Sequence, residues 1–402
     1  MSVLKNKKIL LGITAGIAAY KTASLVRLFI KLGADVKVIM TPASKDFITP
    51  LTLSTLSKNP VNSSFYSKED ENELWNNHVD LGIWADYMVI APATANTLSK
   101  MANGTCDNLL LATYLSSKCP VYFAPAMDLD MYAHPSSKQG LATIENNGVQ
   151  IIPAEKGFLA SGLEGEGRMA EPEDIVTYIE NDILSKLPLK GKKVLITAGP
   201  TYEVIDPVRF IGNHSSGKMG FEIANAALLL GAYVTIISGP TNQTLVHSNL
   251  NRIDVVSAQE MFDATTAHFH NADILIAAAA VSDYKPKQQF NQKLKKSEDA
   301  LRIDLTPTQD ILKYLSSIKS HQLLVGFALE TEHEEENARA KLKKKNLDLI
   351  VLNSLNDTGA GFKKDTNKIK IITNSEVYRF ETKPKSEVAK DILDHILNIL
   401  NR

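Results

Sequence analysis

Two stretches, "KKILLGITAG" at residues 7–16 and "KKVLITAGP" at residues 192–200, have the same form and indicate the fold. Each places lysines before a short apolar run that ends in a turn containing glycine. A helix-like segment follows in both halves, and then a second apolar run that begins with Gly-Ala, at residues 33–42 and 231–240. Strand, glycine turn, helix and second strand are the start of a doubly wound parallel sheet.

Five later apolar runs are candidates for strands that are buried on both faces of such sheets. They are "YMVIAPA" at 87–93, "PVYFAPA" at 120–126, "DILIAAAAV" at 273–281, "LLVGFAL" at 323–329 and "LDLIVLNS" at 347–354. We therefore predict two open α/β domains with doubly wound parallel sheets of the Rossmann-like kind, at residues 1–186 and 187–402. Ligands of such sheets bind at the carboxyl ends of the strands, where we expect the site residues.

Composition excludes several classes of function. The 402 residues carry a formal net charge of −1 with a pI of 6.8, which does not favour binding to nucleic acid. Two cysteines form no disulfide framework and fit a reducing cytoplasm. The lysines and apolar run of the N-terminus are also typical of a signal peptide, but the same pattern returns at residue 190. No apolar run reaches the roughly 18 residues that span a bilayer, so we expect a soluble protein without a membrane partner.

Three predicted strand-end turns carry small hydroxyl or amide side chains. They are Thr14, Thr41, Ser44, Thr94, Asn96 and Thr97. Such donors can hold a flat cofactor that bears a phosphate, or they can be ordinary turn and cap residues. Neither glycine turn contains G-x-G-x-x-G, which disfavours ordinary NAD binding. His78 is either an acid–base group, because imidazole titrates near neutral pH, or a histidine of a helix face or core.

The stretch "IGNHSSGKMGF" at residues 211–221 has the spacing of a phosphate loop, but Met219 replaces the hydroxyl residue that would hold Mg²⁺. Its amides, Ser215, Ser216 and the following helix N-terminus can cradle phosphate, or the stretch can be a plain helix cap. The lysine-rich segment 284–299 is interpreted as a mobile flap or a solvated loop. Lys341 and Lys345 are four residues apart, on one helix face.

Long motifs in both halves resemble known enzymes. "GITAGIAAYK", "HVDLGIWAD", "APATANTLSKMANG", "PAMDLDMY" and "GLEGEGRMAEP" resemble the flavin-dependent cysteine decarboxylases. "ITAGPTYEVIDPVRFIGNHSSGKMG", "AAAAVSDY", "GFALET" and "KLKKKNLDLIVLN" resemble the phosphopantothenate–cysteine ligases. Their order is similar to that of the bifunctional phosphopantothenoylcysteine decarboxylase and phosphopantothenate–cysteine ligase of coenzyme A biosynthesis, and the resemblance covers nearly the whole chain.

For the first domain the resemblance implies FMN as cofactor and decarboxylation of 4′-phosphopantothenoylcysteine to 4′-phosphopantetheine. His78 matches the active-site base, and residues 159–172 match a mobile clamp over the substrate. The positions implied for FMN are Thr14, Gly16, Thr41, Ser44, Thr94, Ala95, Asn96 and Thr97. Those implied for the substrate are Met127, Arg168 and Met169.

Two residues depart from the decarboxylase pattern. Asp128 stands where the family has an asparagine that holds the substrate carboxylate, and an ionised Asp128 would repel that group by about 4 kcal/mol at 4 Å. Ser161 replaces a cysteine that donates a proton, and a hydroxyl is a far weaker acid. A protonated Asp128 could supply that proton instead. The alternatives are a working ligase fused to an altered flavoprotein half, a reductase or a scaffold, and a flavin-binding module without activity.

For the second domain the resemblance implies that CTP and Mg²⁺ activate 4′-phosphopantothenate as an acyl-cytidylate, which cysteine then attacks. Asn213 matches the residue that stabilises this intermediate, and Lys293 matches the catalytic lysine. Positions near phosphate are Ser215, Ser216, Gly217 and Lys218. Positions near the nucleotide are Ala277, Ala278, Ala279, Asp283, Thr308, Asp310, Ile311, Phe327, Lys341 and Lys345, with Asp283 reading the cytosine amine. Mg²⁺ would be bridged by the triphosphate and water.

The family's assembly implies a homo-oligomer, built from trimers of the flavin domain and dimers of the ligase domain, as in a dodecamer.

Overall fold

The structure, a computed structural model, describes residues 2–66, 76–295, 301–354 and 364–401. The chain divides into two compact units, Met1–Ser185 and Lys186–Arg402. The domain boundary proposed from the sequence falls one residue later than this division.

Eight strands and eight helices form the described part of the first unit. The strands are β1 Lys8–Ile13, β2 Asp35–Met40, β3 Val61–Asn62, β4 Tyr87–Ala93, β5 Val121–Pro125, β6 Gln150–Ile151, β7 Glu155–Phe158 and β8 Glu164–Arg168. The helices are α1 Thr22–Lys31, α2 Pro50–Ser57, α3 His78–Trp84, α4 Ala95–Ala102, α5 Leu109–Ser116, α6 Leu129–Ala133, α7 Pro135–Asn146 and α8 Pro172–Ser185, with short 3₁₀ turns at Ile17–Lys21 and Pro42–Asp46.

The main sheet of this unit has the strand order β3-β2-β1-β4-β5-β6, and its strands run parallel. The chain adds β2 and β3 on one side of β1 and then β4 to β6 on the other, so the order reverses between β1 and β4. Open α/β sheets form their ligand crevice at such a point. Both faces of the sheet are covered, because alternate residues of β1 belong to two different apolar clusters. The continuous apolar runs of β1, β4 and β5 follow from this double burial.

An antiparallel hairpin of β7 and β8 lies outside the main sheet and packs on the turn after β5. Gly167 makes this packing possible, since its φ is +140° and a Cβ atom there would lie 2.4 Å from the carbonyl oxygen of Met127. The Met127 N–H donates to the Gly167 carbonyl at 3.0 Å. The hairpin therefore reaches the carboxyl end of β5.

Fourteen strands and five helices form the described part of the second unit. The strands are β9 Lys193–Ala198, β10 Tyr202–Val204, β11 Phe210–Gly212, β12 Tyr233–Ser238, β13 Leu250–Asp254, β14 Ile274–Ala277, β15 Tyr284–Pro286, β16 Leu305–Pro307, β17 Leu323–Glu330, β18 Leu349–Ser354, β19 Thr366–Asn367, β20 Ile369–Ile372, β21 Val377–Arg379 and β22 Lys383–Pro384. The helices are α9 Lys218–Leu229, α10 Ala258–Phe269, α11 Ile311–Ser317, α12 Glu334–Lys344 and α13 Lys385–Leu400.

The main sheet of the second unit has the order β13-β12-β9-β14-β17-β18-β20-β21. Its first six strands are parallel, whereas β20 and β21 are antiparallel to their neighbours. The prediction of two doubly wound α/β domains is confirmed, and the antiparallel edge is a feature that it did not contain. One apolar cluster packs α9 and α13 on one face of the sheet, and a second packs α10, α11 and α12 on the other.

Within the described ranges, no helix is both long enough and apolar enough to cross a membrane.

Candidate functional site

A cavity of about 860 Å³, the large cavity, lies at the carboxyl ends of β1, β2, β4 and β5. Its size is within the range of cavities that hold a drug-sized ligand or cofactor. Most of the site residues predicted for the first domain line it. They are Thr14, Gly16, Thr41, Thr94, Ala95, Asn96, Thr97, Met127, Asp128, Ser161, Arg168 and Met169.

Three threonines fix the floor of the large cavity. The Thr14 hydroxyl donates to the Pro92 carbonyl at 2.6 Å and accepts from the Thr94 N–H at 3.2 Å. The Thr94 hydroxyl in turn caps α4, accepting from the Thr97 N–H at 3.5 Å. These bonds join the end of β1 to the end of β4 and set the N-terminus of α4, with its positive end of the helix dipole, against the cavity.

Thr41 provides a test of whether a polar ligand fits. Among the residues that the structure describes, Thr41 Oγ1 is a buried side-chain oxygen without a hydrogen-bond partner. Ser44 is buried behind it and donates to the Thr41 carbonyl at 2.7 Å, so Ser44 supports Thr41 rather than lining the cavity. A buried hydroxyl without a partner is costly, and a ligand oxygen or ring nitrogen in the cavity would remove that cost.

The predicted clamp contributes a charged group to the rim. Arg168 and Lys21 both hydrogen-bond Glu171 Oε1, and Lys21 also donates to the Met169 carbonyl at 3.2 Å. The hydrogen bond from Lys21 lowers the pKa of Glu171. Lys21 is 7% exposed and lines the large cavity, although it was not predicted as a site residue. The available signal was a lysine at the end of the 3₁₀ turn Ile17–Lys21, which follows Gly16.

Asp128 lines the large cavity and also caps α6. Its Oδ1 accepts from the Leu129 N–H at 2.6 Å, a role that aspartate and asparagine fill equally well. The replacement of the family asparagine therefore leaves the local fold intact and changes the charge and the donors at the cavity wall.

Three further lining residues, Lys100, Asp107 and Asn108, were not predicted. Lys100 and Asp107 form an ion pair at the rim. Asn108 caps α5 by accepting from the Leu111 N–H at 3.1 Å. These residues add polar groups to a lining that also contains exposed apolar side chains such as Ile17 and Phe158.

His78 is not among the residues that line the large cavity. It is the first residue of α3, with its ring edge-on to Phe65 at 6.2 Å between centroids. Its role as a base stays a prediction, and within the described part of one chain it lacks a position beside the large cavity.

A second cavity of about 180 Å³, the small cavity, lies in the second unit at the N-terminus of α9. Ser215, Ser216, Gly217, Lys218, Ala278, Ala279 and Phe327 line it, as do Asn353, Asn367 and Lys385, which were not predicted. Gly217 is the residue before α9 and has a φ of +74°, the left-handed region that glycine adopts without strain. This conformation turns the loop so that the helix N-terminus faces the cavity.

Asn213 follows β11 and lies outside the small cavity, close to its wall. Its side-chain amide donates to the Val281 carbonyl at 2.9 Å and lies 3.5 Å from the Ala280 carbonyl. Ala280 lines the small cavity. Asn213 is itself exposed, so its amide is accessible to a ligand.

Lys293 precedes Leu294, whose backbone N–H and carbonyl groups are both hydrogen-bonded to side chains. The Leu294 N–H donates to Asp206 Oδ2 at 3.1 Å, and the Arg209 guanidinium donates to the Leu294 carbonyl at 3.2 Å. Asp206 is 1% exposed and also accepts from Arg209 Nη1 at 2.7 Å. The turn between β10 and β11 thus fixes the backbone beside Lys293, while the Lys293 side chain is exposed.

The remaining predicted nucleotide positions form a polar cluster near α12. Lys345 pairs with Asp310 at 2.8 Å, and Lys341 donates to the Phe327 carbonyl at 2.7 Å. Burial lowers the pKa of Lys341, and the charge of Lys345 acts in the same direction. Burial alone would raise the pKa of Asp310, but hydrogen bonds from Lys345 and from the Lys313 N–H outweigh it and lower the pKa.

Thr308 and Asp283 lie beside this cluster. The Thr308 N–H donates to the Asp283 carbonyl at 2.9 Å, and the Thr308 hydroxyl donates to the Ser282 carbonyl at 2.6 Å. Ala277 ends β14, and Ile311 is the buried first residue of α11. Neither Ala277 nor Ile311 lines the small cavity, so a ligand could meet Ile311 only through its main chain.

No group of three or more His, Cys, Asp or Glu side chains that could hold a metal ion occurs in residues 2–66, 76–295, 301–354 and 364–401.

Family models match both units. Residues 2–184 match the model described as "Flavoprotein", and residues 189–400 match the "DNA/pantothenate metabolism flavoprotein C-terminal domain". Together they cover nearly the whole chain.

Curated relatives are similar over most of their length. The chain is 42% identical over 395 residues to the coenzyme A biosynthesis bifunctional protein CoaBC of Haemophilus influenzae, covering 98% of each chain. It is 43% identical to the CoaBC protein of Bacillus subtilis, covering 92% of this chain and 91% of that one. A relative of unknown prokaryotic origin named "Cysteine/Cysteine sulfinic acid decarboxylase" is 51% identical over 360 residues, 88% of this chain and 100% of the relative.

Solved structures are similar to each half. The C-terminal domain of a CoaBC protein is 42% identical with a TM-score of 0.46, covering 54% of this chain and 99% of that one. A PPC decarboxylase mutant complexed with pantothenoylaminoethenethiol is 35% identical with a TM-score of 0.40, covering 44% of this chain and 99% of that one. On the strength of the family models and the full-length relatives, the chain belongs to the family of bifunctional CoaBC proteins of coenzyme A biosynthesis.

Proposed function

We propose that the chain catalyses two successive steps of coenzyme A biosynthesis. The second unit joins 4′-phosphopantothenate to cysteine at the expense of CTP, and the first unit decarboxylates the product to 4′-phosphopantetheine with FMN. The large cavity is the main support for the activity of the first unit, because twelve residues implied by the resemblance line this one cavity. Full-length identity to CoaBC proteins supports the combination of both activities in one chain.

In the ligase reaction, the carboxylate of 4′-phosphopantothenate attacks the α-phosphorus of CTP and pyrophosphate leaves. The cysteine amine then attacks the acyl carbon and CMP leaves. Negative charge develops on the acyl oxygen in the second step, when the amine attacks, and the exposed amide of Asn213 is a suitable donor for it. Mg²⁺ would accompany the triphosphate, because a triphosphate and water supply the oxygen ligands that it prefers.

Pyrophosphate release tests the ligase assignment. Purified protein with CTP, Mg²⁺ and 4′-phosphopantothenate should release pyrophosphate, and addition of cysteine should yield CMP and the amide. Replacing CTP by UTP tests the role of Asp283, because a carboxylate accepts from the cytosine amine and uracil has none. Absence of pyrophosphate with every nucleotide would overturn the assignment.

FMN fits the large cavity on two observations. The unpartnered Thr41 hydroxyl needs a polar ligand, and the N-terminus of α4, with Thr94 and Asn96, suits a phosphate. Bound there, FMN would act as an electron acceptor and then as a donor, which makes loss of CO₂ from a thiol-bearing substrate easier.

Residues of the chain itself would bind the substrate and donate the proton that the reaction requires. Arg168 and Lys21 bring two positive charges to the rim, enough to attract a carboxylate beside Glu171. The hairpin of β7 and β8 carries Ser161 over the cavity and limits access of water. Asp128, if protonated, can supply the proton that a serine hydroxyl does not readily give.

Substitution of Asp128 tests this last role. Asp128→Asn keeps the helix cap and removes the acid, so we expect the first round of CO₂ release to persist while reduction of the decarboxylated intermediate slows. Steady-state turnover should slow with it, and its pH profile should change. Unchanged turnover with an unchanged pH profile would exclude Asp128 as the donor.

His78 would act in an assembly. Because His78 does not line the large cavity of its own chain, we propose a homo-oligomer in which it reaches the large cavity of a neighbouring copy. Mixing inactive His78→Asn protein with Ala95→Phe protein, whose cavity is blocked, should restore part of the decarboxylase activity after subunit exchange. Failure of every such mixture to recover activity would exclude a shared site.

Free cysteine is a second candidate for the decarboxylase substrate. The relative with 51% identity is named for cysteine and cysteine sulfinic acid. An ionised Asp128 repels a carboxylate but attracts the ammonium group that free cysteine carries and the acylated substrate lacks. Rates of CO₂ release from 4′-phosphopantothenoylcysteine, cysteine and cysteine sulfinate would separate the two. The alternative of a ligase fused to an altered flavoprotein half is not favoured, since the CoaBC relatives match across both units.

A further inference from the structure

Glu171 connects the hairpin of β7 and β8 to the turn that follows β1. The last residue of β8 is Arg168, and the last residue of the 3₁₀ turn Ile17–Lys21 is Lys21. Among the described residues, Lys21 and Arg168 line the large cavity, but Glu171 does not. Glu171 can therefore act on this cavity only through the side chains that it binds.

A single carboxylate oxygen holds both cations. Lys21 Nζ donates to Glu171 Oε1 at 2.8 Å, and Arg168 Nη2 donates to the same oxygen. Two hydrogen bonds that meet at one oxygen keep their donor nitrogens within about 6 Å of each other. Without the carboxylate, two positive charges this close would repel each other and move apart. Glu171 thus sets the spacing of the two charges.

The bond to Lys21 differs from an ordinary surface ion pair. The Lys21 side chain is 8% exposed, and its Nζ also donates to the Met169 carbonyl at 3.2 Å. An exposed ion pair stabilises a protein little, whereas a buried ammonium group that loses its carboxylate is left poorly solvated. Removal of the Glu171 carboxylate should therefore displace Lys21.

Arg168 lies across the hairpin. A Cβ atom at Gly157 of β7 would lie 3.1 Å from Arg168 Nη1, so the guanidinium lies directly over the facing strand. The Glu171 N–H also donates to Glu155 Oε1 at 3.2 Å, at the start of β7. Within the described part of the chain, Glu171 is the acceptor for Arg168, which leaves four of the five guanidinium N–H donors for a ligand.

The charge of this group matches one carboxylate. Lys21 and Arg168 bring two positive charges, and Glu171 cancels one of them. The substrate of the proposed decarboxylase reaction carries one carboxylate on the carbon that loses CO₂. A net charge of one can attract that carboxylate, and the attraction ends when the negative charge leaves the carboxyl carbon as neutral CO₂ forms.

We propose that Glu171 is a positioning residue of the decarboxylase site. It fixes Lys21 and Arg168 at the spacing that receives the substrate carboxylate, and it anchors the base of the hairpin, where β7 begins and β8 ends. This inference rests on the proposed decarboxylase function and adds to it how the carboxylate is recognised. Glu171 itself does not touch the substrate.

The test compares the substrate with 4′-phosphopantetheine, the product, which keeps the phosphate and lacks the carboxylate. In Glu171→Ala we expect the KM for 4′-phosphopantothenoylcysteine to rise about tenfold with kcat within about threefold, while inhibition by 4′-phosphopantetheine is unchanged. Glu173→Ala removes an exposed acid two residues along and is the matched control, which should change neither. An equal loss of affinity for substrate and product would assign the two cations to the phosphate and overturn the proposal.

A double substitution shows whether Glu171 acts through Lys21. The KM of the protein with both Lys21→Met and Glu171→Ala should be no higher than about twice that of Lys21→Met alone, because the cation that Glu171 positions is already gone. Increases in KM that multiply would show that Glu171 acts independently of Lys21, and the proposal would be wrong.

Hydrogen exchange of the protein without substrate gives a readout that does not depend on activity. In Glu171→Ala the amides of residues 155–158 and 164–168 should exchange about tenfold faster than in Glu173→Ala, because the hairpin has lost a side-chain anchor. Equal exchange in the two variants would exclude the anchoring role.

Glu171→Gln covers the case in which Glu171→Ala does not fold, since it keeps an acceptor oxygen and loses only the charge. Because hydrogen bonds to a neutral acceptor are weaker, KM and hairpin exchange should each rise about threefold. No change in either quantity would contradict the proposal. If the unsubstituted protein released no CO₂ from 4′-phosphopantothenoylcysteine, the decarboxylase function itself would be overturned, and hydrogen exchange would still decide the anchoring role.

Discussion

The large cavity of the first unit and the small cavity of the second differ about fivefold in volume, although both lie at the strand ends of doubly wound sheets. In the first unit, every predicted site residue except Ser44 and His78 lines the cavity. In the second, Asn213, Asp283, Lys293, Lys341 and Lys345 lie outside it.

This difference reflects what each unit is proposed to hold. A cofactor that stays bound needs a space that exists before it arrives, and the threonine bonds of the large cavity supply a rigid floor. Reactants, by contrast, enter and leave. The side chains that would bind them can make contacts with other protein groups while the reactants are absent. Lys345 pairs with Asp310, and Lys341 donates to the Phe327 carbonyl. In the proposed ligase reaction a nucleotide would replace those partners. The comparison therefore predicts that substitutions in one unit leave the other unit's ligand untouched.

Asn213→Ala should give the largest effect. Removing a donor to a developing negative charge costs about 10²–10³ in rate, so cysteine-dependent CMP formation should fall by that factor. Because Asn213 is exposed, the fold should not change. FMN content and CO₂ release from supplied 4′-phosphopantothenoylcysteine should stay the same. A parallel loss of flavin would break the comparison.

Asp206→Ala should be next. It removes the acceptor of the Leu294 N–H and of Arg209, so the backbone beside Lys293 loses its support. We expect pyrophosphate formation to slow by about tenfold to a hundredfold, and the Leu294 amide to exchange its hydrogen faster. The double variant with Lys293→Met should be no slower than Lys293→Met alone. If the two losses multiplied, Asp206 would act by another route than Lys293.

Thr41→Val tests the same comparison in the first unit, at the large cavity. It keeps the shape of the side chain and removes the buried hydroxyl that lacks a partner, so FMN should bind about tenfold more weakly. Fluorescence titration of the apoprotein measures this, with the exposed α2 cap variant Thr49→Val as control. Ligase activity should be unchanged. Tighter FMN binding by Thr41→Val would mean that the hydroxyl does not meet the cofactor.

The smallest effect concerns pH. Because burial lowers the pKa of Lys341, its charge is present at low pH and is lost as pH rises, below the ordinary 10.5 of a lysine. The kcat/KM for CTP should therefore fall at alkaline pH, by roughly fivefold for one weakened ion contact. Lys341→Arg should move the fall to higher pH, since arginine keeps its proton. An identical profile in both proteins would assign the fall to another group.

Prediction from the sequence succeeded where a pattern was local and long. The continuous apolar runs of β1, β4 and β5 follow from double burial, and the strand-end threonines follow directly after such runs. Asn353 illustrates a signal that was present but not used, because it is a polar residue next to the last position of a predicted strand. Lys385 carried no such signal, since a single lysine in a charged helix is ordinarily solvated.

By itself the sequence determined two doubly wound domains and the residues at the ends of their parallel strands, because burial on both faces dictates the apolar runs and the carboxyl ends of such strands share one edge. Only the tertiary structure decided which of those residues share a cavity. In the structure Ser44 lies behind Thr41, and His78 does not line the large cavity of its own chain. Lys21 lines the large cavity and Lys385 lines the small one. Such neighbours are distant in sequence, and packing of helices and loops on the sheet, rather than residue spacing, sets the distances between them.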